Sequence, residues 1–103
     1  MFLAEWPPQI GEILAIRCET GVFLEIVKEL EGGDRLSCSF MKPYMASRLD
    51  DHWCWPPHED FYSVHKDYVL PVKPSVDVSV KMSTKRNVVY VCQNADIIRL
   101  FTK

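Results

Sequence analysis

The sequence predicts a mainly β chain: a small barrel of about five strands, then a C-terminal β hairpin and a short closing helix. Three observations carry this expectation. Runs rich in β-branched and aromatic residues recur from Ile10 to Leu70, Gly- and Pro-bearing breaks separate them, and a short stretch at the end, Ile97, Leu100 and Phe101, has i, i+3, i+4 helical spacing. At 103 residues the chain can bury one modest core, and with 48% hydrophobic residues it has the apolar side chains to fill it.

The first strand is read in Ile10 to Cys18, where Leu14, Ile16 and Cys18 share one face. Glu19-Thr20-Gly21 supplies a turn, and Val22 to Leu30 forms the second strand, with a helix as the competing reading. The strong turn signal Glu31-Gly32-Gly33-Asp34 and the period-two run Arg35 to Phe40 decide for two successive hairpins. Lys42 to Asp51 has no regular period and contains Pro43, so it reads as a long loop. A short fourth strand resumes at His52-Trp53-Cys54-Trp55 and must end at Pro56-Pro57, because proline fixes φ and has no amide hydrogen for a ladder. Asp60 to Asp67 is expected to form a single helical turn before Tyr68-Val69-Leu70 extends again as the fifth strand.

Beyond Pro71 and Pro74 the character changes. Val76 to Val80 and Asn87 to Cys92 are expected to pair as a hairpin, and Asn94 is the expected N-cap of a short helix carrying Ile97, Leu100 and Phe101 onto the barrel. This divides the chain into a barrel over 9–72 and an extension packed on it over 73–103. Trp6-Pro7-Pro8 echoes Trp55-Pro56-Pro57, but the residues after each share nothing, so no repeat is read.

Composition narrows the function. A net charge of -2 disfavours nucleic acid as a direct ligand, since that mode neutralises phosphates with clustered Lys and Arg. The one basic cluster, Lys81, Lys85 and Arg86, reads as a solvated turn. No apolar run approaches the ~20 residues of a membrane-spanning helix, so no membrane is expected. The N-terminus fits neither a secretory signal nor a transit peptide, and the four cysteines therefore read as reduced intracellular thiols.

These residues resemble the Tudor and chromo-barrel branch of the SH3-like folds. The resemblance runs from about residue 10 to 72, in Ile10-Gly11-Glu12 opening strand one, Gly21 to Val27 in strand two and Asp34 to Phe40 in strand three. The chain is also similar to small SH3-like segments near the C-termini of uncharacterised, mobile-element-like animal proteins, where a Trp-Pro pair precedes an acidic turn. Here that pair is Trp55-Pro56, followed by Glu59-Asp60. The chain departs from methylarginine-reading Tudor domains after strand three, where Met41-Lys42-Pro43-Tyr44 replaces an Asp-Tyr-Gly-Asn type of segment.

The resemblance implies a non-catalytic module that binds a protein or peptide through a sheet edge or an aromatic surface, as a monomeric domain of a larger protein with no cofactor. The candidate ligand-binding residues are Phe23, Tyr44, Trp53, Trp55 and Asp60. Aromatic faces attract cations by ~0.5–2 kcal/mol each, so the alternative is a methyl-lysine or methyl-arginine reader acting on a methylated tail in chromatin, hence nuclear. Trp53 and Trp55 are two apart on a strand and point the same way, so core packing competes with a binding role for both. Phe40 shares a face with Leu36 and Cys38 and is assigned to the core. An acidic face on strand two, Glu25 with Glu29, is a further interaction surface. His52, Cys54 and His58 lack the pair spacing of a zinc site. A Cys-His hydrolase, with Cys54 or Cys38 attacking, His58 or His65 as base and Asp60 or Asp67 orienting, is the enzyme alternative, and it requires a depressed thiol pKa.

Overall fold

The chain folds as two antiparallel sheets that share a core. The computed structural model describes residues 5–19, 21–43, 52–56, 60–80 and 88–101. Eight strands follow in order: β1 (Ile13–Cys18), β2 (Gly21–Gly32), β3 (Arg35–Phe40), β4 (Lys42–Pro43), β5 (His52–Cys54), β6 (Phe61–His65), β7 (Val76–Val80) and β8 (Val88–Cys92). A 3₁₀ turn, Lys66–Tyr68, follows β6, and α1 (Ala95–Arg99) follows β8. The first sheet has the order β1-β2-β3-β6 and the second β4-β5-β8-β7.

The mainly β class and the first two hairpins match the expectation from sequence. β1 pairs with β2 from Ile13↔Ile26 to Cys18↔Gly21, and β2 pairs with β3 around Gly33-Asp34. The β7-β8 hairpin is also present, pairing from Val76↔Cys92 to Val80↔Val88. The five-strand barrel is not: the two sheets are not closed into one. The short strand carrying Trp53 leaves the first three strands and lies between β4 and β8 in the second sheet. The second sheet therefore draws strands from both sides of residue 72.

The fourth place in the first sheet is taken by β6, where a helical turn was expected. Phe61-Tyr62-Ser63-Val64 is rich in strand formers, and the open edge of β3 offers it a ladder from Arg35↔His65 to Ser39↔Phe61. Helical geometry is confined to Lys66–Tyr68, where the His65 imidazole Nδ1 accepts from the Asp67 amide at 3.1 Å. Val69 is extended again, as expected. It bridges to Ile16, and the Leu70 amide donates to the Ala15 carbonyl at 2.9 Å, drawing the chain back to β1.

Both faces of the first sheet are buried, which explains why β2 carries an almost unbroken apolar run. On one face Ala15 and Leu24 join Met41, Trp53, Leu70, Val72, Cys92 and Ile98 in the core between the sheets. On the other, Leu14, Ile16, Val27, Leu36, Cys38 and Val64 form a second cluster built from the sheet's own four strands, with Trp6, Cys18 and Val69 against it. The sheet must curl around this cluster. Leu14, Ile16 and Cys18 share that face as expected.

Asn94 stands at the N-cap of α1, but its side chain caps nothing there. Its Oδ1 accepts from the Ser75 amide at 2.9 Å and from the Cys92 thiol at 3.4 Å, and its Nδ2 donates to the Lys73 carbonyl at 3.0 Å. Asn94 thus ties the start of the hairpin to its end. The helix buries Ile98, with Ile97 and Phe101 half-buried beside it, while Leu100, expected on the packed face, is exposed.

Candidate functional site

An aromatic row crosses the first sheet from the core to the surface. Trp53, 7% exposed, meets Phe23 edge-on with centroids 6.1 Å apart, and Phe23 stacks on Phe40 at 5.8 Å with planes 12° apart. Phe40 in turn lies 4.6 Å from Tyr62, which is 48% exposed. The row follows from register: Glu25↔Phe40 and Cys38↔Tyr62 put Phe40 and Tyr62 on one face of neighbouring strands.

The outer end of the row opens on a pocket of about 490 Å³. Arg17, Cys18 and Glu19 line it from β1 and the following turn, Glu25 from β2, Arg35 and Phe40 from β3, Tyr62 and His65 from β6, and Tyr68 from the 3₁₀ turn. The notable group is Glu25. It is 0% exposed, and among the described residues neither carboxylate oxygen has a hydrogen-bond partner. Burial pushes its carboxyl up to about 8, because the charged form loses its hydration and gains nothing in return.

The expected acidic face of Glu25 and Glu29 does not exist. The register shifts between Val27 and Glu29: Val27 faces Cys38, whereas Glu29 faces the next residue back, Ser37. This bulge reverses the alternation, so Glu25 points with Val27 into the curl of the sheet while Glu29 is exposed on the other side.

Three of the sequence-derived candidates serve the core between the sheets. Phe23 and Trp53 meet there, the first half-buried and the second in the core. Trp55 is half-buried against the same core, edge-on to Tyr90 at 6.3 Å with its indole N–H donating to the Tyr90 hydroxyl at 3.3 Å, and with the Lys28 ammonium 5.8 Å from its ring. Asp60 is exposed just before β6. Tyr44, His58, Glu59 and the basic cluster Lys81, Lys85 and Arg86 lie outside the described residues, as does the side chain of His52. Phe40 does share a face with Leu36 and Cys38, yet it is half-buried and lines the pocket rather than closing the core.

Sequence reasoning passed over Tyr62, Tyr68 and the depth of Glu25. A signal for the last was present: in Val22-Phe23-Leu24-Glu25-Ile26-Val27 a lone carboxylate stands in a run that is apolar on both faces. Among the thiols, Cys38 is buried and pushed up to about 12, first by burial and then by the nearby Glu25 and Glu31 carboxylates. That is the opposite of a nucleophile's requirement. Among the described residues no group of three His, Cys, Asp or Glu side chains is placed to hold a metal ion, and no helix is long and apolar enough to cross a membrane. Compared with known proteins, the chain matches no family model, no curated protein and no solved structure.

Proposed function

We propose that the chain is a non-catalytic peptide-interaction module of SH3-like, Tudor-like topology that binds its partner along β6. The observation that carries this reading is the set of exposed aromatic rings on that strand and in the turn after it: Phe61, Tyr62 and Tyr68 are 59%, 48% and 56% exposed. Consecutive strand residues point to opposite faces, so Phe61 and Tyr62 stand on either side of the sheet edge. Among the described residues no strand pairs with the outer side of β6. An extended peptide added there would gain main-chain hydrogen bonds from the edge and apolar contact from both rings.

The SH3-like reading is supported by the order of β1, β2, β3 and β6, the 3₁₀ turn after β6 and the return of Val69-Leu70 to β1. A methyl-lysine or methyl-arginine reader is the second reading, favoured by the Phe40–Tyr62 pair beside a buried carboxylate.

Peptides selected from a random display library on the folded chain, then mapped by amide chemical shifts, test the proposal. Shifts are expected along Phe61 to His65, and Tyr62→Ala is expected to weaken binding at least about tenfold, the loss of a ~1.4 kcal/mol contact, measured under conditions where the variant is still fully folded. Selected peptides that map away from β6, or that ignore Tyr62→Ala, would sink it. Methylated and unmethylated versions of a histone-tail peptide in the same titration separate the second reading, which requires shifts at Phe40 and Tyr62 with the methylated form alone.

A further inference from the structure

The pocket beside β6 is lined in part by Glu25, whose carboxylate lies just beneath the wall, sealed from solvent until the wall yields to a ligand. Both oxygens of Glu25 are buried without a donor among the described residues, so the group loses its hydration and gains no hydrogen bond in exchange. A chain that needed only packing here would be served better by Leu or Met. We infer that this pocket receives the guanidinium group of an arginine side chain from the peptide partner, with Glu25 at its floor as the counter-ion. The inference rests on the peptide-binding reading of β6.

Three features select a guanidinium. Two unpartnered oxygens on one carboxylate match the planar, two-pronged N–H edge of arginine, which an ammonium presents as a single point. The Tyr62 ring, packed on Phe40 at 4.6 Å and 48% exposed at the pocket wall, offers an aromatic surface on which that plane can stack. The pocket opens beside β6, where the partner peptide would run.

The arginines at the rim are engaged elsewhere: Arg17 donates to the Phe101 carbonyl and Arg35 donates to the Ser63 hydroxyl at 3.3 Å, while the His65 Nδ1 accepts from the Asp67 amide at 3.1 Å. Glu19 adds a second carboxylate at the mouth. The other titratable groups facing Glu25 are the Cys18 and Cys38 thiols on β1 and β3, both raised by burial and by Glu25 itself, and the Tyr62 and Tyr68 phenols on β6 and the 3₁₀ turn.

A proton signature follows. With its carboxyl near 8, Glu25 is mostly protonated at neutral pH, so a guanidinium must displace that proton to bind. Binding at pH 7 should release roughly 0.9 proton, and affinity should rise roughly eightfold between pH 7 and about 8.5.

The test is a titration of the folded chain with Nα-acetylarginine methylamide, its neutral citrulline counterpart and the lysine compound, by calorimetry in two buffers of different ionisation enthalpy and by amide shifts. The arginine compound alone should shift Glu25, Phe40 and Tyr62, with proton release, and Glu25→Gln should abolish both. Equal binding of citrulline, no proton release, or arginine binding that survives Glu25→Gln overturns the inference. The wild-type pH dependence keeps it falsifiable even if a Glu25 variant folds poorly. Display-selected peptides that map to β6 without arginine preference, together with a silent arginine compound, would remove the arginine site and leave the peptide reading standing. Arginine compound in the pocket with no peptide on β6 would remove the peptide reading and with it the proposed source of the guanidinium.

Discussion

Glu25 is the residue whose surroundings most affect how the chain should behave. A carboxyl raised from 4.5 to about 8 in the folded state binds its proton more tightly there than in the unfolded chain. Its contribution is therefore fully present below about pH 4.5 and is lost as pH rises through about 8, at up to ~1.4 kcal/mol per pH unit. Glu12 works in the opposite sense: its hydrogen bond to Lys73, at 2.6 Å, holds its carboxyl below the ordinary value and outweighs the opposing desolvation, so its contribution is present above that value and fades in acid. The two windows lie on either side of about pH 4.5. Glu25→Leu is expected to remove the decline between about pH 5 and 8 and to raise stability at pH 8, measured by urea unfolding across that range. An unchanged slope would show that Glu25 is not the titrating group. The carboxylate's identity was plain in the sequence, but its direction was not. One extra residue at the β2 bulge turns Glu25 and Glu29 to opposite faces, and a bulge leaves no mark in a simple alternation.

Among the elements, the turns and the strands they join were legible and the pairing partners were not. Gly32 and Gly33 close the β2-β3 hairpin with φ of +89° and +59°, and an added Cβ at Gly33 would meet nothing within 4 Å. The cost of a side chain there is thus purely conformational, about 1–2 kcal/mol for an L-residue in the left-handed region. Gly33→Ala should lower the unfolding free energy by about 1 kcal/mol, and Gly33→Asn by less, because Asn tolerates this conformation. Equal losses for the two would point to a contact rather than the backbone. Phe61–His65 shows the limit of local reading. Its β-forming residues are evident in retrospect, but what decides for a strand is the free edge of β3, which no local pattern in the sequence announces.

At the scale of the whole molecule, the second sheet joins segments far apart in sequence. Trp53 on β5 lies opposite Tyr90 on β8, and the core between the sheets includes Cys92 and Ile98 from the last fifteen residues. Periodicity can say that Trp53 sits on a strand; it cannot say that the strand's neighbour comes thirty-odd residues later. A chain ending at residue 72 would lack β7, β8 and α1 and uncover Ala15, Leu24 and Trp53, each large side chain losing roughly 1.5–3 kcal/mol of burial. It is expected to lose cooperative unfolding in calorimetry, whereas a sharp transition would show that the first sheet stands alone. The pocket, too, depends on the whole first sheet, because only its curl takes Glu25 out of water. The titration of the Glu25 carboxyl carbon, followed by NMR in the intact chain from about pH 4 to 10, probes this most directly. A midpoint near 8 is expected for an unpartnered carboxyl at the floor of a pocket waiting for a cation. A midpoint near the ordinary 4.5 would mean that water or a resident donor already satisfies it, and would contradict the site.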